Sequence, residues 1–381
     1  MRLELKQRIF ESRDMDSKAP SSDSKHVIDL TQSFAQLKAS GGPFILFLLT
    51  FATIAAVISL TFRSLEPTPD FLVLSPKLNH FQNHHETYNA VFLGTSRTFY
   101  HIVPDEVEQA ASEAGCAGMK VYNFGVFGLT GAEQDWIVSQ ILETPDLALT
   151  HLILEDPLPA ERSISEVTSE RSRYFHQPAL YRSYLENIVS FPEHNAKRAF
   201  RAGVFGYGVL HDLSGVGRLS KAIFPPAKQK PPFDFNFELD GFEVLGSRSN
   251  ADIEARRADF QSNPNQFTTN LAGFDKGPES NSAARAQYHI QRLERIQNAG
   301  IQTGLFISPD TQEVRRTPWI GQAVKTQRPD MSVFNFNQPS ETPVLFQREH
   351  WFDFSHLNET GAILLSQSVG RQLCAESKTV K

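Results

Sequence analysis

Cysteine is scarce, basic charge is not in excess, and no stretch is rich in phosphate-cradling glycines. The 381 residues hold two cysteines, Cys116 and Cys374. That excludes a small scaffold stapled by many disulfides, and no His/Cys/Asp/Glu cluster has structural-zinc spacing. The formal net charge of −6 gives no electrostatic case for nucleic acid. No internal repeat and no phosphate-binding loop occur, so solenoid architectures and P-loop nucleotide chemistry are set aside, and no cofactor or metal is expected. Hydrophobic residues make up 40% and charged residues 21%, enough for a sizeable core, and the 30 phenylalanines are scattered rather than clustered in repeats.

One long segment lacks charge altogether. From Phe44 to Phe62 the chain reads FILFLLTFATIAAVISLTF. At 1.5 Å per residue this approaches the roughly 30 Å of a bilayer's hydrocarbon core, and no amphipathic face can be drawn on it. Residues 43–62 are therefore expected to form one N-terminal transmembrane helix, with 1–42 as a polar cytoplasmic tail. Arg2, Lys6, Arg8, Arg13, Lys18, Lys25 and Lys38 precede the span, whereas only Arg63 and Lys77 follow it closely. The positive-inside rule places the N-terminus in the cytoplasm and everything after residue 62 outside. The expected location is a bacterial inner (plasma) membrane, single-pass, with the main domain periplasmic or extracellular; a Golgi-type lumenal protein has the same topology. Residues 63–88 read as a linker, in which His84 and His85 point apart and are taken as solvated.

Beyond the linker, strand and helix alternate. The pattern predicts strands near 89–94, 119–123, 150–155 and 301–307, and helices over 104–114, 131–142, 281–298, 318–327 and 357–374. Such alternation implies an α/β domain, 89–375, with a parallel sheet covered on both faces and ligands at the carboxyl ends of the strands. Gly300 suits the C-cap that turns one helix into the next strand. Residues 158–280 break the rhythm and read as an insertion that caps or lines the cleft, with helical pieces near 178–189 and 194–202. The two cysteines suit either a disulfide in an oxidising compartment or two separate buried thiols.

Chemistry concentrates at two places. The apolar run Ala90 to Leu93 ends in Gly94-Thr95-Ser96-Arg97, a small-residue turn with a serine where the chain leaves the sheet. Strand, tight turn and helix is how α/β enzymes present a nucleophile. Near the C-terminus, Asp353-Phe354-Ser355-His356 sets a carboxylate and an imidazole three residues apart before a helix. A serine nucleophile needs such a base, and the base needs a carboxylate to orient it. Taken singly, each has a plainer reading: a loop serine, an N-capping aspartate, a solvated first-turn histidine. His350 reads as a rim residue.

Together these blocks resemble the SGNH/GDSL hydrolases, in which a Gly-Asp-Ser-like block comes first, an Asp-x-x-His pair comes last, and glycine and asparagine blocks lie between. Tyr122-Asn123-Phe124-Gly125 stands where the glycine block belongs. The resemblance covers about 88–158 and 285–375, and implies a three-layer, flavodoxin-like α/β/α fold. It assigns Ser96, His356 and Asp353 as catalytic triad, with the Ser96 and Gly125 amides as oxyanion hole. Thr95 in place of the aspartate is similar to the membrane-anchored branch that includes alginate O-acetylation and teichoic-acid D-alanylation proteins. A serine esterase or O-acyltransferase acting on acyl groups of a polysaccharide is implied, with a membrane-bound O-acyltransferase as partner.

The third block departs from the family. Where an asparagine donor is expected, His151-Leu152-Ile153-Leu154 runs into Glu155-Asp156, and an ionised carboxylate cannot donate to an oxyanion. On this reading Glu155→Asn or Asp156→Asn would add a donor and raise turnover. Arg97, Asn123, Glu155 and Asp156 are the candidate substrate contacts, with a salt bridge as the alternative for Arg97. The competing class is a catalytically weak or inactive SGNH-fold assembly or interaction protein of a polysaccharide export or modification complex.

Overall fold

The computed structural model describes residues 30–64, 73–157, 164–175, 180–190, 194–213, 240–247, 250–274, 282–312 and 317–379. The expected tail before residue 30 and the proline pairs at 225–226 and 231–232 lie outside them. The chain divides at Ile54 into two units, the second holding everything from Ala55 onward.

Helix α1 (Leu30–Ser64) contains the uncharged run. Its apolar side chains are exposed, Phe44 at 62% and Leu46 at 66% among them. Among the described residues, no helix is long and apolar enough to cross a membrane. The expected span is described only in part, because the side chains of residues 59, 60 and 62 lie outside the described ones.

Residues 73–88 of the segment expected to be a linker fold instead. Helix α2 (Leu74–His84) buries Leu74, Leu78 and Phe81, three apolar residues at helical spacing. His84 is exposed and its ring stacks on His80. Strand β1 (Ala90–Gly94) follows, then helices α3 (Ser96–His101) and α4 (Pro104–Glu113), β2 (Val121–Gly125), α5 (Gly131–Leu142) and β3 (His151–Glu155). The 158–280 region contributes α6 (Ile164–Val167), α7 (Glu170–Phe175), α8 (Tyr181–Ser190), α9 (Asn195–Leu213), α10 (Ala251–Ser262) and α11 (Pro264–Leu271). The alternation resumes with α12 (Ser282–Gln297), β4 (Gln302–Ile307), α13 (Thr317–Gln327), β5 (Ser332–Asn335) and α14 (Glu359–Thr379). Gly300 has φ +82°, the left-handed turn expected of it.

The fold is α/β. Among the described residues, five strands in the order β2-β1-β3-β4-β5 pair in parallel throughout. All five residues of β1, β2 and β3 are buried, as expected of strands covered on both faces. Alternate side chains feed two cores. Val91, Leu93, Tyr122, Phe124, Leu152, Leu154, Leu305 and Ile307 join residues of α2, α5, α12 and α13 on one side. Ala90, Phe92, Val121, Ile153, Phe306 and Phe334 meet Val107 of α4 and Leu365, Val369 and Leu373 of α14 on the other. Cys116 and Cys374 are bonded, tying the chain just after α4 to α14 across 258 residues.

The chain leaves β1 for β2 on one side and returns to β3 on the other. The order reverses there, and a crevice opens beyond the carboxyl ends of β1 and β3. Ser96 stands at the end of β1 and Glu155 at the end of β3.

Candidate active site

The turn after β1 is built from its smallest residues outward. A Cβ at Gly94 would come within 1.9 Å of Thr98 Oγ1 and 2.3 Å of Glu155 Oε2. Only glycine lets the first turn of α3 and the Glu155 side chain close over the strand end. Thr95 caps α3, its hydroxyl accepting from the Arg97 amide at 3.3 Å, and Ser96 is the first helical residue.

Glu155 lies beneath this turn, 1% exposed. Its carboxylate accepts from the Thr95 amide (2.7 Å) and hydroxyl (2.8 Å), the Thr98 amide (3.1 Å) and hydroxyl (2.7 Å), and Arg97 Nε (2.8 Å). Arg97 in turn reaches Asp310 Oδ2 at 2.8 Å, beyond the end of β4. Burial pushes the Asp310 carboxyl up, against the pull of Arg97. This corrects two assignments. Arg97 takes the salt-bridge alternative rather than a substrate contact, and Glu155 is the internal support of the turn that carries Ser96 rather than a misplaced oxyanion group. Asp156 is also buried, receiving Arg285 Nη2 at 2.6 Å and His289 Nε2 at 2.8 Å on one oxygen. Burial, opposed by Asp156, lowers the His289 pKa to about 4, so that contact is a hydrogen bond from a neutral ring at pH 7.

His356 arrives on a tight turn. Trp351 and Leu357 form an antiparallel bridge, and the Phe352 amide donates to the His356 carbonyl at 2.9 Å. Inside the turn, Asp353 Oδ1 accepts the amides of Ser355 and His356, both at 2.8 Å. The side chain that faces the imidazole is thus fixed by its own backbone. His356 Nδ1 lies 3.0 and 3.1 Å from the two Asp353 oxygens, and Nε2 lies 2.9 Å from Ser96 Oγ. Burial raises the Asp353 pKa, but His356, the Ser355 amide and Arg256 outweigh it and hold the carboxyl below its ordinary value. An ionised carboxylate only accepts, so Nδ1 carries the proton and Nε2 is left to accept from the serine hydroxyl. Ser96, His356 and Asp353, separated by up to 260 residues, therefore form one hydrogen-bonded line.

The oxyanion hole is another matter. The Ser96 amide lies in the first turn of α3, where a helix leaves its N–H groups without intrahelical partners. The Gly125 amide is occupied, donating to Asn123 Oδ1 at 2.9 Å. A Cβ on Gly125 would strike the Phe99 backbone nitrogen at 2.2 Å, so this glycine serves the close approach of α3 to β2. Asn123 is fully buried and donates to the carbonyls of Thr98 (2.8 Å), Phe99 (3.2 Å) and Ile102 (2.7 Å). It ties down the end of α3, its side-chain amide committed inside the fold rather than held out as the expected substrate contact. His350 is partly exposed, with Nδ1 against the Val344 carbonyl at 2.6 Å.

Several residues around the site went unnoticed in the sequence. Arg256 of α10 approaches Asp353 Oδ2 at 3.3 Å, and Arg257 lies over the Phe352 ring at 4.6 Å. With Phe260 against Phe354 at 5.1 Å and Phe267 against Trp351 at 5.8 Å, the inserted region packs directly on the turn that carries His356. Beside it opens a cavity of about 600 Å³ lined by Arg257, Phe352, Glu254 and Asn358 among others, but not by Ser96 or His356. Asp310 carried a readable signal, because Ser308-Pro309-Asp310 follows a strand at its carboxyl end. His101 carried none, since 96–103 read as a turn.

Among the described residues no group of three or more potential ligands could hold a metal ion. Comparison of the chain with family models, with curated proteins and with solved structures returns no match.

Proposed function

We propose that this protein is a serine esterase or O-acyltransferase that works through an acyl-enzyme. The observation that carries the proposal is the continuous line from Ser96 Oγ through His356 to Asp353 at 2.9 and 3.0 Å. His356 Nε2 takes the hydroxyl proton as Ser96 Oγ attacks an acyl carbonyl, and Asp353 stabilises the imidazolium so formed. The tetrahedral adduct collapses as His356 returns the proton to the departing alkoxide. Water then releases the acyl group, or a sugar hydroxyl accepts it. The 2-1-3-4-5 strand order is the flavodoxin-like one, in keeping with the SGNH resemblance of the two sequence blocks.

The same resemblance supports acyl groups of a cell-surface or exported polysaccharide as substrate and a membrane-bound O-acyltransferase as partner. Export is supported by the uncharged run and the basic residues before it, and by the Cys116–Cys374 disulfide, a bond that persists in oxidising compartments. The runner-up, a non-catalytic assembly protein, has its own support in the occupied Gly125 amide. A missing oxyanion donor costs about a hundred- to a thousand-fold in rate. A fluorophosphonate probe decides between them. The active protein should be labelled, and Ser96→Ala should not; an unlabelled wild-type protein would favour the assembly role.

A further inference from the structure

We infer that His101 is a positioning residue that holds the backbone of the base through an accepted hydrogen bond. The inference rests on the reading of Ser96 and His356 as a working pair. His101 closes α3 and is fully buried. Its Nε2 lies 2.9 Å from the amide nitrogen of Leu357, the residue that follows His356. That amide can only donate, so Nε2 must accept, which puts the ring proton on Nδ1, 2.6 Å from Ser308 Oγ. The ring is thus strung between the end of β4 and the turn of the base. Its centroid lies 5.9 Å from that of His356 at 78°, while Tyr100 meets the other ring at 5.9 Å and 87°.

The geometry has a consequence for α3. Six residues carry the nucleophile at one end and the holder of the base at the other. The Ser96–His356 separation is therefore set by a single turn and a half of helix instead of by the long path between them. A protonated ring would bring N–H against the N–H of Leu357. Burial, with His356 and Arg97 nearby, holds the His101 pKa well below its ordinary value and keeps the accepting form. No contact of His101 calls for it to touch a substrate.

The test uses amide mimics in the full-length protein. A glutamine at 101 carries its amide oxygen to the place of Nε2 and can accept from Leu357. An asparagine reaches only the place of Nδ1. On an acetyl ester, His101→Gln should keep kcat within about threefold, whereas His101→Asn and His101→Phe should lose about ten- to a hundred-fold in kcat with KM unchanged. Thermal melts of the Gln and Asn proteins should agree. Equal activity of Gln and Asn, losses that follow the melting temperature, or an effect on KM alone would overturn the assignment. If the wild-type protein neither turns over ester nor takes the probe, the esterase reading has failed. The positioning is then read from the downfield proton resonance of His356 Nδ1–H. It should persist in wild type and His101→Gln and be lost in His101→Asn; persistence in both variants would overturn it.

Discussion

Ser96 and His356 share one proton, and residues that act as one unit do not contribute separately. Ser96→Ala, His356→Ala and the double variant should each lower ester turnover by a similar factor, about 10⁴ or more, measured as kcat/KM. Additive losses would mean that the two are not partners. The residue with the most changed meaning is Glu155. Read from sequence, its replacement by an amide supplied a missing donor and raised the rate. In the fold its carboxylate accepts five hydrogen bonds, one of them from Arg97. An amide there would turn an N–H toward donors and remove the negative charge that faces Arg97. Glu155→Gln and Glu155→Asn should therefore lose about 3–5 kcal/mol in a denaturant titration, and turnover with it. Undiminished stability would restore the missing-donor reading. The sequence showed that a carboxylate sits at the end of β3 but not where it points, because its partners lie 57 to 60 residues upstream.

Among the elements, α3 decides the site and was the least legible. Between Ser96 and Pro104 there are two aromatics and no breaker, too short a run for helical periodicity to declare itself. Its seat on β2 depends on Gly125. Gly125→Ala would drive a Cβ into the Phe99 backbone, which cannot swing aside as a side chain can. A loss of about 1–3 kcal/mol in the melt, together with loss of probe labelling at Ser96, is expected. The other strands were legible because buried parallel strands read as apolar runs, as Val91-Phe92-Leu93 and Leu152-Ile153-Leu154 do. Strand β5 was not, since Ser332-Val333-Phe334-Asn335 offers two apolar residues and borrows its identity from β4. Helix α1 awaits its own test. A reporter active only outside the cytoplasm should be on when fused after residue 70 and off when fused before residue 40; reversed signals would overturn the export argument.

At the scale of the whole molecule, buried histidines set the acid side of stability. Burial lowers the pKa of His101 and His151, and that of His289 to about 4. The unfolded chain therefore takes up protons first, near pH 6.5. The histidine contribution should be complete above about pH 6.5 and be lost as pH falls, His289 alone accounting for a loss on the order of 3 kcal/mol by pH 4. Thermal melts from pH 7 to pH 4 would show this, and a flat profile would contradict it. The disulfide acts on the same quantity. Reduction frees a loop of 258 residues in the unfolded chain and should cost about 2–5 kcal/mol. The two Cys positions left a bond undecided until α14 was seen packed against α4, where a Cβ on Gly370 would meet the Val107 carbonyl at 2.3 Å. That packing also imposes a schedule on biosynthesis. Cys374 and His356 are translated after all five strands, so a growing chain carries Ser96 through most of its synthesis without its hydrogen-bond partner. The residue that would activate the serine and the cysteine that latches the tail both emerge late, so on the acyl-enzyme reading the nascent polypeptide stays chemically silent until the turn before α14 has been made.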